Sequence, residues 1–240
     1  MRFLSWSTTH NGAVRTHNED RFVDRPELGL WAVADGAGGH DAGEVASGMI
    51  ADALETIPPK LGAGALLSEI RTRIGRTHEA LCAEASRRGP NTVIASTIVV
   101  LIATDTHFAC LWAGDSRAYL LRDGVMQQIS RDHSLVQELV DSGAIQPEEA
   151  ENHPRANIIT RAVGGGTEPF ELDKVSGALQ AGDRFLLCSD GLCKTLSDAA
   201  LAGLLAGNHT TSLTDPMIAA ALDRRVNDNV TAVVIEAVSA

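Results

Sequence analysis

An unbroken series of strand-like segments in the middle of the chain constrains its fold more than any other feature. Apolar or alternating stretches are separated there only by short polar turns: residues 92–103, 107–113, 116–122 and 125–129. Such stretches are typical of consecutive β-strands, and Asp123-Gly124 between the last two favours a two-residue hairpin turn. Because no helical pattern separates these strands, we predict an antiparallel meander.

Helical patterns lie before and after this meander. Apolar residues recur at spacings of three and four from about Asp41 to Ile57 and from about Leu66 to Arg88, which predicts two amphipathic helices. The later part of the chain alternates less regularly between shorter helices, at about 197–206 and 215–225, and strands, at 170–175, 184–188 and 230–238. Because helices and antiparallel strands are segregated, we predict an α+β fold: a four-layer αββα sandwich of two antiparallel sheets flanked by helix pairs.

No long linker, internal repeat or low-complexity segment divides the sequence. We therefore expect residues 1–240 to form a single domain. From Asp132 to Gly166, a short helical pattern is followed by an acidic patch and the loose stretch HPRANIITRAVGGG. This segment is predicted to form a small flap subdomain on the surface.

The charge balance argues against binding to nucleic acids. The chain has 20 Lys and Arg against 31 Asp and Glu, a net charge of −11, whereas proteins that bind phosphate backbones need clustered basic residues. The longest strictly apolar runs, such as Ile98 to Ala103, contain six residues, far fewer than the roughly 20 that span a bilayer. The first residues also lack the apolar core of a signal peptide. We therefore expect a cytoplasmic protein.

Acidic residues mark the ends of several apolar runs. Asp35 follows LGLWAVA, Asp190 follows RFLLCS, and Asp228 lies just before the closing strand. Each Asp-Gly pair alone is explained by turn chemistry, but carboxylates that meet at one end of a sheet repel one another, and a divalent cation offsets this repulsion. The joint pattern favours a hard cation such as Mg²⁺ or Mn²⁺, and the absence of Cys and paired His from these segments argues against zinc.

Five short motifs occur in a fixed order along the chain: RxxNED at Arg15–Asp20, VADGxGGH at Val33–His40, GDSR at Gly114–Arg117, SDGL at Ser189–Leu192 and DNVT at Asp228–Thr231. Together they resemble the metal-dependent serine/threonine protein phosphatases of type 2C (PPM), particularly the compact bacterial members. The resemblance extends from about Gly12 to Val234, which is nearly the whole chain. Each motif alone is weak evidence, but five in register are highly specific.

The resemblance implies a centre of two Mn²⁺ or Mg²⁺ ions. Asp35 is expected to bridge the two ions, and the carbonyl oxygen of Gly36 to bind one of them. Asp190 and Asp228 are expected to complete the site of the other ion. Asp115, together with Asp190, matches the residues that hold a third, weaker ion in bacterial relatives.

Further positions of the same motifs match residues around the metals. Glu19 and Asp20 match acidic residues that act on the metal ions mostly through water. Asn229 is expected to support the ligands from behind. Arg15 matches the arginine that holds the substrate phosphate, and its planar, permanently charged guanidinium suits that role.

The implied reaction is hydrolysis of phosphoserine or phosphothreonine by attack of a metal-bridging water, whose pKa the two ions lower. The implied partner is a phosphorylated protein, such as a eukaryotic-type Ser/Thr kinase or its target. Some family members carry a His after the first Asp-Gly as a general acid, but here that position is Ala37. The leaving group would then take its proton from metal-bound water or another side chain; His40 lies nearby in sequence.

Three other functions compete with this one. A nucleotide-binding protein is disfavoured because residues 36–43 do not complete GxGxxG and no GK[ST] follows. A catalytically inactive phosphatase fold that acts as a sensor or binding module would be expected to lack a metal acid, yet Asp35, Asp190 and Asp228 are all present. A phosphatase of small phosphate esters stays open, because it would use the same chemistry.

Overall fold

The computed structural model describes residues 1–38, 42–104, 106–150, 153–166, 170–207 and 211–239. Its strands are β1 (Arg2–His10), β2 (Asp20–Arg25), β3 (Leu30–Ala37), β4 (Ala95–Ser96), β5 (Ile98–Ala103), β6 (His107–Ala113), β7 (Arg117–Arg122), β8 (Val125–Gln128), β9 (Asp173–Ala178), β10 (Arg184–Cys188) and β11 (Val230–Val238). Its helices are α1 (Ala42–Glu55), α2 (Ala63–Arg88), α3 (Leu135–Asp141), α4 (Pro147–Ala150), α5 (Asp190–Cys193), α6 (Asp198–Leu205) and α7 (Asp215–Asp223).

The strands form two antiparallel sheets that pack face to face. One sheet has the order β1-β11-β10-β7-β8, and the other has the order β2-β3-β5-β6-β9, with β4 beside β3. An apolar cluster joins the second sheet to α1 and α2, another joins the first sheet to α5, α6 and α7, and a third fills the space between the sheets. The predicted αββα sandwich is therefore confirmed.

Strand β5 illustrates why the sequence folds into layers. Side chains alternate between the two faces of a strand, and β5 (IVVLIA) is apolar at every position. Ile98, Val100 and Ile102 pack towards the helices, whereas Val99, Leu101 and Ala103 pack between the sheets. A strand covered on both faces needs such a continuous apolar run.

The longest helix among the described residues is α2, which has 26 residues. It buries one stripe of side chains, including Leu66, Ile70, Ile74 and Leu81, in the apolar cluster that it shares with α1 and the second sheet. Its remaining surface is rich in Arg and Glu.

Within the described ranges, no helix is both long enough and apolar enough to cross a membrane.

Several element boundaries differ from the sequence prediction. The predicted strand 92–103 is divided at Thr97 into β4 and β5, and the strand predicted at 170–175 lies three residues later, as β9. Strands β1 and β2 and the short helix α5 were not predicted. The hairpin at Asp123-Gly124 is present, and both residues have the positive φ that its turn requires. Asp41, the expected start of the first helix, is outside the described residues.

Candidate functional site

The acidic residues singled out in the sequence lie at strand ends of both sheets. Asp35 is near the end of β3 and is paired in register with Asp20 at the start of β2. In the other sheet, Asp190 follows β10 and Asp228 precedes β11. Each sheet therefore contributes carboxylates to the same region.

A cleft of about 500 Å³ lies in this region. The segment predicted to form a flap borders it through Asn157 and Ile159. Asp20, Asp115 and Asn229 do not line the cleft and are buried, with at most 6% of each residue exposed. The other predicted site residues all line it: Arg15, Glu19, Asp35, Gly36, Asp190 and Asp228.

Asp20 is a buried carboxyl group at the junction of the two sheets. Its Oδ2 accepts hydrogen bonds from the hydroxyl groups of Ser189 and Thr231, each at 2.7 Å. Burial raises the pKa of Asp20 to about 7, although these two hydrogen bonds oppose the shift, and repulsion from Asp190 and Asp228 adds to it. Asp20 thus lies beside the cleft, hydrogen-bonded from β2 to the other sheet, without lining it.

Asp35 is surrounded by other carboxyl groups that repel its charged form. Burial raises the pKa of its carboxyl group well above the usual value, and the neighbouring Asp20, Asp190, Asp115 and Asp228 raise it further. Placing several carboxylates next to one another is energetically unfavourable unless protons or cations compensate their charge.

The donor set fits divalent cations that prefer oxygen ligands. Within the described part of the chain, one oxygen of Asp20 and one of Asp115 are buried without a hydrogen-bond partner. The carboxylates of the cleft are accompanied by the backbone of Gly36, where a Cβ would overlap the Gly43 carbonyl oxygen. No three His, Cys, Asp or Glu side chains of the described residues already converge as a ligand set; Mg²⁺ commonly keeps several water ligands.

Arg15 lies at the rim of the cleft. Its Nη2 donates to Oδ2 of Asp228 at 3.0 Å, and the side chains of Arg15 and Asp228 are 51% and 40% exposed. An ion pair this exposed contributes little to stability. The remaining guanidinium donors of Arg15 can therefore meet an anion that enters the cleft.

The side chain of Asn229 holds the segment that carries Arg15 and Glu19. Its Nδ2 donates to the carbonyl oxygens of Asn11 at 3.1 Å and His17 at 2.8 Å. Its Oδ1 accepts a hydrogen bond from the backbone N–H of Glu19 at 2.8 Å. Asn229 thus supports the site by fixing the position of the loop between β1 and β2, which carries Arg15 and Glu19.

Lys194 is a residue of the site that the sequence analysis missed. Its Nζ donates to Oδ2 of Asp190 at 2.7 Å and to Oδ2 of Asp115 at 3.0 Å. Burial alone would lower the pKa of Lys194, but Asp190 and Asp115 outweigh it and raise that pKa. Because Lys194 follows Asp190 by four residues, helical spacing was the signal that could have placed the two side chains together.

No histidine is among the described residues that line the cleft. Ala37 lines it with a methyl group, and His40 is outside the described residues. His133 packs against Trp112, contacts Asp173 at 3.1 Å and accepts a hydrogen bond from the backbone of Gly114. His133 is therefore engaged in holding the turn that precedes Asp115.

Residues 9–234 match the family model described as protein phosphatase 2C. The serine/threonine protein phosphatase PstP of Mycobacterium tuberculosis is 37% identical over 227 residues, which are 95% of this chain and 43% of PstP. The chain thus spans less than half the length of that relative.

Solved structures agree with the sequence match. PppA, described as a key regulatory component of T6SS in Pseudomonas aeruginosa, is 43% identical and superposes with a TM-score of 0.91 over 99% of this chain and 98% of that chain. The catalytic domain of PstP in complex with two manganese ions is 34% identical, with a TM-score of 0.87 and 99% of both chains covered. Since the family model covers nearly the whole sequence and the fold is shared, this chain belongs to the protein phosphatase 2C family.

Proposed function

We propose that this chain, acting as one domain over residues 1–240, is a metal-dependent protein serine/threonine phosphatase. The observation that carries the proposal is the convergence of mutually repelling carboxylates from both sheets in one cleft with an exposed Arg15 at its rim. Membership of the family and the names of its relatives support the same activity.

In this proposal, the cleft holds two Mn²⁺ or Mg²⁺ ions. Asp35, Gly36, Asp190, Asp228 and Glu19 line the cleft and would supply the oxygen atoms that hold the ions. When bound, such ions make hydroxide available near neutral pH and stabilise the charge that develops on the phosphoryl group.

The remaining steps fall to the chain's own residues. Arg15 binds and orients the phosphate through its free donors, which places the phosphorus atom beside the carboxylates. Asp20 and Asn229 keep the strand ends and the Arg15 loop in position. Ala37 has no proton to donate, so the leaving alkoxide of serine or threonine takes its proton from water or another side chain.

Arg15→Ala is expected to weaken phosphate binding more than metal binding. Loss of a charged hydrogen-bonding group should raise the KM for p-nitrophenyl phosphate and the inhibition constant of inorganic phosphate by about 10- to 100-fold. The Mn²⁺ dissociation constant should change less, because the Arg15–Asp228 pair is exposed. Steady-state kinetics and calorimetry measure these quantities.

The matched control is Arg87→Ala, because Arg87 is an exposed arginine that pairs with Glu84 on α2, outside the cleft. It should leave both constants unchanged. Equal losses of metal and phosphate affinity in Arg15→Ala would mean that Arg15 supports the loop rather than the substrate.

The substrate in this proposal is phosphoserine or phosphothreonine on a protein, as the names of the relatives suggest. A eukaryotic-type Ser/Thr kinase or its target as the partner, a role in signalling and a cytoplasmic location also belong to the proposal and rest on the family resemblance alone. Discrimination between proteins and small esters would lie in the walls of the cleft, which include Asn157 and Ile159.

The test is hydrolysis of p-nitrophenyl phosphate and of a phosphothreonine peptide with Mn²⁺, with Mg²⁺ and with excess EDTA. We expect both substrates to be hydrolysed only when metal is present. Hydrolysis of p-nitrophenyl phosphate but not of the peptide would indicate a phosphatase of small phosphate esters instead. A folded protein with no activity under any metal would contradict it and favour a binding module.

A further inference from the structure

The ammonium group of Lys194 occupies the space between two carboxylates that arrive from different parts of the chain. Asp115 lies in the turn between β6 and β7, and Asp190 begins α5. Lys194 Nζ is 3.0 Å from Asp115 Oδ2, 2.7 Å from Asp190 Oδ2 and 3.2 Å from Asn157 Oδ1. Three oxygen atoms therefore surround one cationic nitrogen.

This position coincides with the place where the family resemblance would put a third metal ion, between Asp115 and Asp190. We infer that in this chain the ammonium group of Lys194 takes the place of that third ion, so that the cleft binds two divalent ions and no more. The inference rests on the proposed function, because it presupposes that the cleft binds metal.

Occupancy of the same space explains why the ammonium group and a third ion exclude one another. Both would need Asp115 Oδ2 and Asp190 Oδ2, and the ammonium nitrogen already lies 3.0 Å and 2.7 Å from these two atoms. Mg²⁺ binds carboxylate oxygens at about 2.0–2.1 Å in a strict octahedron, which the Lys194 side chain would obstruct. A third ion could enter only after Lys194 had left.

The burial of Asp115 explains why the ammonium group of Lys194 remains beside it. Asp115 is 2% exposed, and its other carboxylate oxygen has no partner among the described residues. A buried carboxylate without a compensating cation is costly, and among the described residues Lys194 is a cation that contacts Asp115. The side chain of Lys194 itself is 34% exposed, and its backbone N–H closes α5 on the carbonyl of Asp190. Helix α5 thus places the ammonium group of Lys194 and the carboxylate of Asp190 on the same turn.

The experiment counts bound Mn²⁺ by equilibrium dialysis and elemental analysis, without reference to activity. The wild-type protein should saturate at two ions per chain. Lys194→Ala should bind a third, weaker ion, and Lys194→Ala with Asp115→Asn should return to two. Lys194→Arg, which keeps a cation at the position, should also bind two.

Lys194→Gln, a neutral variant of similar length, replaces Lys194→Ala if circular dichroism shows that the alanine variant is unfolded. Three ions in the wild-type protein, or two in both neutral variants, would overturn the inference. Absence of any bound Mn²⁺ from the folded wild-type protein would instead overturn the proposed function, and this inference with it. The count therefore separates the two failures.

Discussion

Asp35→Asn should reduce kcat/KM for p-nitrophenyl phosphate by about 10³-fold, the upper end of what the loss of one electrostatic group costs. Asn keeps the shape of the side chain but removes the negative charge that faces the cleft. Because Asp35 is repelled by Asp20, Asp190 and other carboxylates, its replacement relieves repulsion. The melting temperature of the metal-free variant should therefore equal or exceed that of the wild-type protein.

The control for Asp35→Asn is Asp123→Asn. Asp123 lies in the β7–β8 turn at φ 51°, a conformation that Asn tolerates, and it is outside the cleft. This control should keep wild-type kinetics and stability. An Asp35→Asn protein that retained most of the wild-type kcat/KM, measured at saturating Mn²⁺, would contradict the metal-bridging role of Asp35.

Gly191→Ala is expected to damage both the site and the fold. A Cβ at Gly191 would overlap the carbonyl oxygen of Asn229, so one of the two backbone segments would have to shift. Those segments carry Asp190 and Asp228, and a displacement of about 1 Å in a catalytic arrangement can cost about 100-fold in rate. We expect a loss of kcat/KM of that size or more, together with a lower melting temperature.

Gly203→Ala provides a matched control for this substitution. Gly203 lies in α6, and an added Cβ there meets no atom within 4 Å. Because Ala is a better helix former than Gly, the control should be more stable by about 0.5–1 kcal/mol with unchanged kinetics. Wild-type activity and melting temperature in Gly191→Ala would show that the close approach of the two segments is not needed.

The central acids of the site were predictable because their signal is local. Asp35, Asp190 and Asp228 each stand next to an apolar run, and an apolar run identifies a buried strand whose end can carry a ligand. The roles of these acids at the metal ions stay predictions until they are tested. The layered fold was predictable for a similar reason, since continuous apolar strands and striped helices can only be covered in a sandwich.

The features that the sequence pattern does not predict depend on contacts between residues that are far apart in the sequence. Strand β1 carries polar residues on both faces and is defined by its pairing with β11, more than 200 residues later. The position of β9 is set by its register with β6, which its mixed sequence DKVSGA does not reveal. Lys194 gains its role only because the fold brings Asp115 beside Asp190.

The hydrogen bonds of Asn229 determine when, during synthesis of the chain, the cleft can form. Asn229 holds the backbone at Asn11, His17 and Glu19, while Thr231 contacts Asp20. A ribosome makes residues 11–20 long before residues 229–231. While it is being synthesised, the nascent chain therefore has the Arg15 loop without the side chains that position it, and the cleft can assemble only after the last strand has emerged.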